Sequence, residues 1–229
     1  LPQNLVRHDL DYEDVGHHKT DVVARRIQLV GNAEIGIRRH LIGGQEANDS
    51  IETLIEGIAA CDLIIDCTSN PQAFNYLCAA AAAGAKPMIA GEILAGGIGG
   101  RMFRSRPGLD PAPAEARAAL DNFYNERGRE AGKAPVRYGL EGNENLPPMI
   151  ATDADVTIVA GHVTRYAIDL LCNEASVYPV SAYVFAFQEG WFFESPFETW
   201  PVDLGPAKPE TPKEPLDPAA AAEEAGTIQ

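Results

Sequence analysis

Residues 63–90 read LIIDCTSNPQAFNYLCAAAAAGAKPMIA, and this stretch decides the fold class. A short apolar run at residues 63–65 is followed by a turn and a helix cap at residues 68–71, with proline at an early helical position. The alanine-rich helix that follows ends at Gly84, and a second apolar run begins at Pro87. A strand, a helix and a strand joined by short loops form a βαβ unit with parallel strands. We therefore predict an α/β fold.

The remaining sequence supplies further helices and strands around this unit. The patterns predict helices at residues 12–30, 50–60, 111–129 and 153–173, and strands at residues 35–42, 94–104, 180–187 and 191–193. The last two strands flank Glu189-Gly190, which is typical of a β-hairpin. We expect a partial Rossmann-like, mainly parallel sheet with flanking helices, followed by a C-terminal helix and the hairpin. One domain is expected over residues 1–205, and the Pro/Glu/Ala-rich residues 206–229 are predicted to be disordered.

The composition excludes several classes of partner. A net charge of -15 over 229 residues argues against a nucleic-acid or anionic-membrane surface, because phosphates would be repelled. No apolar run approaches the roughly 20 residues of a membrane span, so we expect a cytoplasmic protein. Four cysteines occur singly, without a CxxC motif, and are expected to be buried thiols rather than zinc ligands: Cys61, Cys67, Cys78 and Cys172. His162 is likewise expected in the core, and the aromatic residues 191–200 are expected to pack.

The first 26 residues are unusually basic for so acidic a chain. They place Asn4, Arg7 and Lys19 just before or at the start of the first predicted helix. By itself, such a run is most often a solvated helix face.

The order of four segments indicates a more specific role. NLVRHDLDYEDVGHHK, residues 4–19, resembles the ThiF/MoeB/HesA family, whose fold is also used by ubiquitin-activating enzymes and whose members typically carry Asn-Leu-x-Arg and then Gly-x-x-Lys opening a helix. The match in type and spacing is carried by Asn4, Leu5, Arg7, Gly16 and Lys19. Three later segments resemble the family in the correct order: DLIIDCTSN (62–70), GAKPMIAGEILAGGIGGRMFRSRPG (84–108) and VAGHVTRYAIDLL (159–171).

The resemblance implies an adenylyltransferase that uses ATP and Mg²⁺ to adenylate the C-terminal glycine of a ubiquitin-like or sulfur-carrier protein. By resemblance, Asn4, Arg7 and Lys19 surround the ATP phosphates and ribose, and Arg7 and Lys19 are the catalytic cations. The strand-end residues Thr68, Ser69 and Asn70 are assigned to the same nucleotide site. Because the nucleophile and the triphosphate are both anionic, such a site needs cations where charge develops. A homodimer and a ubiquitin-conjugating-like domain are the further partners that the resemblance suggests.

The sequence departs from the family pattern at three points. The Gly-x-Gly-x-x-Gly loop that precedes Asn-Leu-x-Arg in the family is absent, so we expect the chain to be the C-terminal part of a longer protein. Ser69 replaces the Asp that usually ligates magnesium, and we interpret the nearby Asp66 as a strand-end carboxylate that accepts backbone hydrogen bonds. No cysteine lies between Cys78 and Cys172, so neither zinc nor a thioester nucleophile is expected.

These departures keep two other functions open. The first is a non-catalytic, ubiquitin-activating-like scaffold subunit that pairs with an active partner, which Ser69 and the missing cysteines favour. The second is a nicotinamide-binding oxidoreductase on a Rossmann sheet. It explains the βαβ unit but leaves Asn4, Arg7 and Lys19 without a joint role.

Overall fold

The computed structural model describes residues 11–39, 51–94, 97–132 and 151–208. A 3₁₀ helix, Tyr12–Asp14, comes first. The α-helices are α1 (Lys19–Val30), α2 (Ile51–Ala59), α3 (Pro71–Gly84), α4 (Pro113–Glu130) and α5 (Asp153–Cys172). The strands are β1 (Ile64–Asp66), β2 (Met88–Leu94), β3 (Gly99–Ser105), β4 (Ala182–Ala186) and β5 (Thr199–Val202). The predicted α/β class is confirmed.

The described strands form one sheet in the order β1-β2-β3-β4-β5. β1 and β2 are parallel, with Ile65 opposite Ile89, as expected for the βαβ unit. The other three pairs, β2–β3, β3–β4 and β4–β5, are antiparallel. The expectation of a mainly parallel sheet is therefore wrong for the described strands. Only residues 95–98 connect β2 to β3, and a parallel crossover needs a dozen or more residues.

The C-terminal hairpin is present, but its second strand lies later than predicted. β4 pairs with β5, whereas residues 191–193 form no strand and instead pack into the core. Phe193 is only 1% exposed. The aromatic run has strand-like composition, but burial of its rings competes with pairing of its backbone. The expected packing of these aromatics is confirmed for residues 191–193, although Phe197 is exposed.

The amino-terminal part also differs from the sequence pattern. The predicted helix over 12–30 is divided, since Gly16 has a φ of +93° between the 3₁₀ helix and α1. Residues 31–39 are neither helix nor strand, so the strand predicted at 35–42 is wrong for its described part. An alternating pattern needs a hydrogen-bonded neighbour, and none of the described strands pairs with it. Residues 40–42, and residues 209–229 of the predicted disordered tail, lie outside the described ranges.

The core has two layers because successive residues of a strand face opposite sides. Met88 and Ala90 of β2 face α3 and α4, together with Phe74, Leu77, Leu120 and the buried aromatics 191–193. Ile89 faces the other side, where α5 supplies Val159, Val163 and Tyr166. Helices thus cover both faces of the sheet, as predicted. None of the described helices is long and apolar enough to cross a bilayer.

The expected burial of the cysteines is wrong at three of four positions. Cys61, Cys67 and Cys172 are exposed and Cys78 is half-buried. Cys61 follows α2, Cys67 lies in the loop after β1, and Cys172 ends α5 on a face turned away from the sheet. His162 is also exposed rather than buried, with its ring 4.9 Å from the ring of Phe185.

A buried polar network joins β3 to α5 and to the segment before β4. Arg104 is 1% exposed and donates to Asp169 at 3.0 Å, to the Tyr178 carbonyl at 3.0 Å and to Ser181 at 3.2 Å. It also donates to Ser176 at 2.5 Å and lies 4.7 Å from the Tyr166 ring centroid. Because each polar group has a partner, burial of this charge is compensated.

This network makes part of the stability dependent on pH. Burial raises the pKa of Asp169, but hydrogen bonds from Ser176, Val177 N–H and Asn173, with the charge of Arg104, outweigh burial and lower it to about 2. When folding lowers the pKa of a carboxyl group, the ionised group stabilises the folded state. This stabilisation is complete at pH values above the pKa of the unfolded state, and it is lost as the pH falls through the pKa of the folded state. We expect the difference in unfolding free energy between wild type and Asp169→Asn to shrink below about pH 4. Urea unfolding at several pH values measures it, and a difference constant with pH would contradict the assignment.

Two helical glycines differ sharply in the space around them. A Cβ on Gly128 of α4 would lie 2.4 Å from Nε1 of the buried Trp191, whereas a Cβ on Gly161 of α5 would meet nothing within 4 Å. Gly128→Ala should therefore cost about 1–3 kcal/mol in unfolding free energy through overpacking. Gly161→Ala should stabilise the protein by about 0.5–1 kcal/mol, since alanine favours the helix. Equal effects of the two substitutions in denaturant unfolding would refute this packing.

Candidate functional site

The loop after β1 is built around a buried carboxylate. Asp66, the last residue of β1, is 5% exposed. One of its oxygens, Oδ1, accepts from the Thr68 N–H at 2.9 Å and from the Thr68 hydroxyl at 2.7 Å. The interpretation of Asp66 as a strand-end carboxylate that accepts a backbone hydrogen bond is confirmed.

The next two residues complete the turn into α3. Ser69 has a φ of +50°, in the left-handed region that few non-glycine residues adopt. Asn70 is the N-cap, and its side-chain oxygen accepts from the N–H groups of Gln72 at 2.9 Å and Ala73 at 3.0 Å. Pro71 then occupies the first helical turn, where its missing N–H costs nothing. Thr68 and Asn70 thus hold the loop, and Ser69 lines the neighbouring cleft.

Lys19 acts on this loop through its charge. It is the first residue of α1 and is exposed. Partial burial raises the pKa of the Cys67 thiol and the Asp66 charge raises it further, whereas the charge of Lys19 lowers it. The Lys19 ammonium therefore lies within electrostatic range of the loop that follows β1.

Other basic residues of α1 serve the fold. Arg25 and Arg26 make ion pairs with the buried Asp14 at 2.7 Å and 3.1 Å. Asp14 also accepts from the N–H of Asp11 in a capping box. That backbone hydrogen bond lowers the pKa of Asp14 most, and the two arginines lower it further against the opposing effect of burial. The basic run is thus partly neutralised within its own segment and fixes the 3₁₀ helix against α1.

A cleft opens beside Ser69 at the end of β1. Its lining residues come from β1, β2, β3, α3, α4 and the loop: Asp66, Ser69, Phe74, Ala90, Gly91, Glu92, Arg101, Phe103 and Arg117. The buried Arg101 contacts Glu92 and Tyr124 and lies 2.7 Å from Asp121. Arg117 lies 3.8 Å from Glu92. Ligands of open α/β sheets bind at the carboxyl ends of parallel strands, and this cleft occupies that position beside β1 and β2.

The sequence prediction of the site missed Glu92, Arg101 and Arg117. Arg101 carries a detectable signal, because it is a charged residue between Gly100 and Met102 inside an apolar strand, which favours a paired, buried role. Arg117 sits among alanines on a polar helix, and nothing in that pattern distinguishes it from a surface arginine. Only the packing of α4 against β3 and α3 brings it to the cleft.

The six predicted site residues are only partly covered by the structure. Thr68, Ser69 and Asn70 follow the end of β1, and Lys19 begins α1 with its charge acting on Cys67 in that loop. Asn4 and Arg7 fall outside the described residues.

The charge of Lys19 and the Ser69 hydroxyl suit a phosphate ligand, whereas the Thr68 hydroxyl already donates to Asp66. For Mg²⁺ the fit is poorer, because the two carboxylates of the cleft, Asp66 and Glu92, already accept from Thr68 or pair with Arg101. In the part of the chain that the structure covers, no three or more His, Cys, Asp or Glu side chains are grouped to hold a metal ion.

Comparison with known proteins connects this geometry to a family. A family model described as the ThiF family matches residues 2–189. Among solved structures, the crystal structure of selenomethionine PaaA is similar with a TM-score of 0.59 and 13% sequence identity. The match covers 89% of this chain and 61% of the PaaA chain, so the chain spans less than two thirds of that protein's length. At this identity the likeness concerns the fold alone. No curated protein sequence matches.

Proposed function

Because the chain belongs to the ThiF family, we propose that it adenylates the C-terminal glycine of a ubiquitin-like or sulfur-carrier protein with ATP. The observation that carries this proposal is the cleft at the end of β1, which Asp66 and Ser69 line inside the matched range; the charge of Lys19 acts on the adjacent Cys67. In this account Lys19 and Arg7 bind the triphosphate and stabilise the charge that develops as pyrophosphate leaves. Asn4, Thr68, Ser69 and Asn70 are the other proposed nucleotide contacts, and Mg²⁺ is the proposed co-ligand of the phosphates.

The reaction requires only positioning and electrostatic stabilisation from these groups. A carboxylate oxygen of the substrate attacks the α-phosphorus, the bond to the bridging oxygen breaks, and pyrophosphate departs as an acyl adenylate forms. Mg²⁺ supplies charge neutralisation when bound to the phosphates. Lys19 is a point charge on a flexible stem and can follow the phosphate as the geometry changes.

A second candidate function rests on Ser69. A serine hydroxyl is a poorer magnesium ligand than the carboxylate that the family usually carries at this position. The alternative is therefore a scaffold subunit that retains the fold, pairs with an active partner and does not adenylate.

Exchange of labelled pyrophosphate into ATP separates the two functions. We expect the full-length protein, given ATP, Mg²⁺ and a panel of ubiquitin-like proteins ending in Gly-Gly, to catalyse exchange with at least one of them. The exchange should disappear when the terminal glycine of that partner is deleted. ATP binding without exchange across the panel would favour the scaffold, and absence of ATP binding would overturn both the nucleotide site and the proposed activity.

A further inference from the structure

The two arginines of the cleft, Arg101 and Arg117, differ in the number of hydrogen bonds and ion pairs that they make. Arg101 is buried and is engaged at once by Glu92, Asp121 and Tyr124. Arg117 is 25% exposed at its side chain and makes no hydrogen bond to any of the described residues. Its one ion pair, with Glu92, is long at 3.8 Å. Since Arg101 already contacts Glu92, the guanidinium of Arg117 keeps N–H donors available to a ligand.

The orientation of Arg117 is nevertheless fixed. Its guanidinium carbon lies 4.6 Å from the centroid of the Phe74 ring, and Phe74 is itself 4% exposed in the core. Phe74 also packs edge-to-face on Phe103 at 6.4 Å between centroids. A guanidinium stacked on a buried ring holds its plane and presents its edge donors, the geometry that suits a carboxylate.

The place of Arg117 in the fold links it to the reaction. Its cleft is also lined by Ser69, which belongs to the loop after β1, and the charge of Lys19 acts on Cys67 in the same loop. The charges of Asp66 and Arg117 both act on the nearby Cys78 thiol, whose burial raises its pKa to about 11. Because Arg117 and Asp66, the last residue of β1, line the same cleft, the guanidinium lies beside the end of β1.

The charges of the side chains that line the cleft favour a carboxylate over a triphosphate as its ligand. Two acids, Asp66 and Glu92, balance Arg101 and Arg117 among its lining residues. A triphosphate carries several negative charges and would be repelled by the two carboxylates, whereas a single carboxylate adds one charge and meets the available donors of Arg117. We propose that Arg117 binds the substrate carboxylate that is to be adenylated, while the ATP phosphates lie on the Lys19 side of Ser69; this assignment rests on the proposed function.

The test measures binding of the carboxylate without catalysis. The probe is N-acetylglycylglycine, and its C-terminal amide is the uncharged control. In the ¹⁵N-labelled full-length protein, the Nε–H signal of Arg117, assigned by its loss in Arg117→Ala, should shift with the acid and not with the amide. Arg117→Ala should weaken binding of the acid at least about tenfold, as expected for a charge-assisted hydrogen bond, and Arg117→Lys should weaken it less. Arg165→Ala, on the exposed face of α5, should leave the affinity unchanged.

Three outcomes would overturn the assignment. They are absence of any shift at saturating acid, an equal shift with the amide, and a shift caused by ATP alone, which would assign Arg117 to the phosphates. ATP binding is measured separately by calorimetry. If ATP does not bind but the acid still shifts the Arg117 signal, the proposed activity is refuted and the carboxylate site is kept. If ATP binds but the acid causes no shift, only the role of Arg117 is refuted.

Discussion

Lys19→Ala should weaken ATP binding at least about tenfold and slow adenylation by about 10²-fold, because it removes the cation that we propose binds the ATP phosphates. The substitution should leave the fold intact, since Lys19 is exposed at the first position of α1. The anchoring of α1 through Arg25, Arg26 and Asp14 does not involve the Lys19 side chain. Calorimetric titration with Mg-ATP and pyrophosphate exchange measure the two effects.

Lys86→Ala is the matched control for this prediction. Lys86 lies just before the amino end of β2, at the edge of the sheet opposite to the loop after β1. It forms a long ion pair of 3.9 Å with the exposed Asp62. Its removal takes away one positive charge, as Lys19→Ala does, but at the edge of the sheet away from the loop after β1. Similar losses in both variants would indicate a general charge effect and would contradict a phosphate site at Lys19.

Arg104→Ala should cost about 3–5 kcal/mol in unfolding free energy, the largest stability effect that we expect. The substitution leaves the carboxylate of Asp169, which is 3% exposed, without its charged partner. It also removes the N–H groups that donate to the Ser181 hydroxyl and the Tyr178 carbonyl. The loss arises chiefly from leaving an uncompensated buried charge rather than from losing one contact. Guanidinium unfolding followed by circular dichroism measures it.

Two further variants distinguish the network from ordinary packing. Arg165→Ala removes a single hydrogen bond of 2.9 Å to the Tyr178 hydroxyl on the exposed face of α5, and it should cost less than about 1 kcal/mol. Arg104→Met combined with Asp169→Asn removes both charges, keeps a side-chain oxygen for the Val177 N–H, and should recover much of the stability lost in Arg104→Ala. A double variant no more stable than Arg104→Ala would show that burial of the charge is not the cause.

Local signals in the sequence predicted the βαβ unit well. The proline at position 71, the N-cap Asn70 and the glycine at position 84 mark α3 to within a residue, because capping and helix termination depend on neighbouring residues. Strand pairing was predicted less well. The direction of β3 relative to β2 depends on a connection of four residues. Whether residues 191–193 form a strand or pack into the core depends on the space next to α4.

In the candidate site too, residues in a local sequence motif could be predicted, whereas residues that depend on contacts between elements could not. Lys19 and residues 68–70 could be assigned to the candidate site from the sequence because they stand in a recognisable local order. Arg117 was missed because its role depends on Phe74 and Glu92, which belong to other elements of the fold. The same holds for Arg104, whose five partners come from residues 166–181. A single sequence gives no indication of such contacts between elements.

Protection of Cys67 by nucleotide tests most directly whether the ATP phosphates bind beside the loop after β1. Cys67 is exposed within that loop, and the exposed Cys61 and Cys172 are internal controls in the same chain. Alkylation by N-ethylmaleimide at mildly alkaline pH is followed by peptide mass spectrometry, with and without saturating Mg-ATP. We predict that ATP slows modification of Cys67 several-fold and leaves Cys61 and Cys172 unchanged. Equal rates at Cys67 with and without bound ATP would contradict the account.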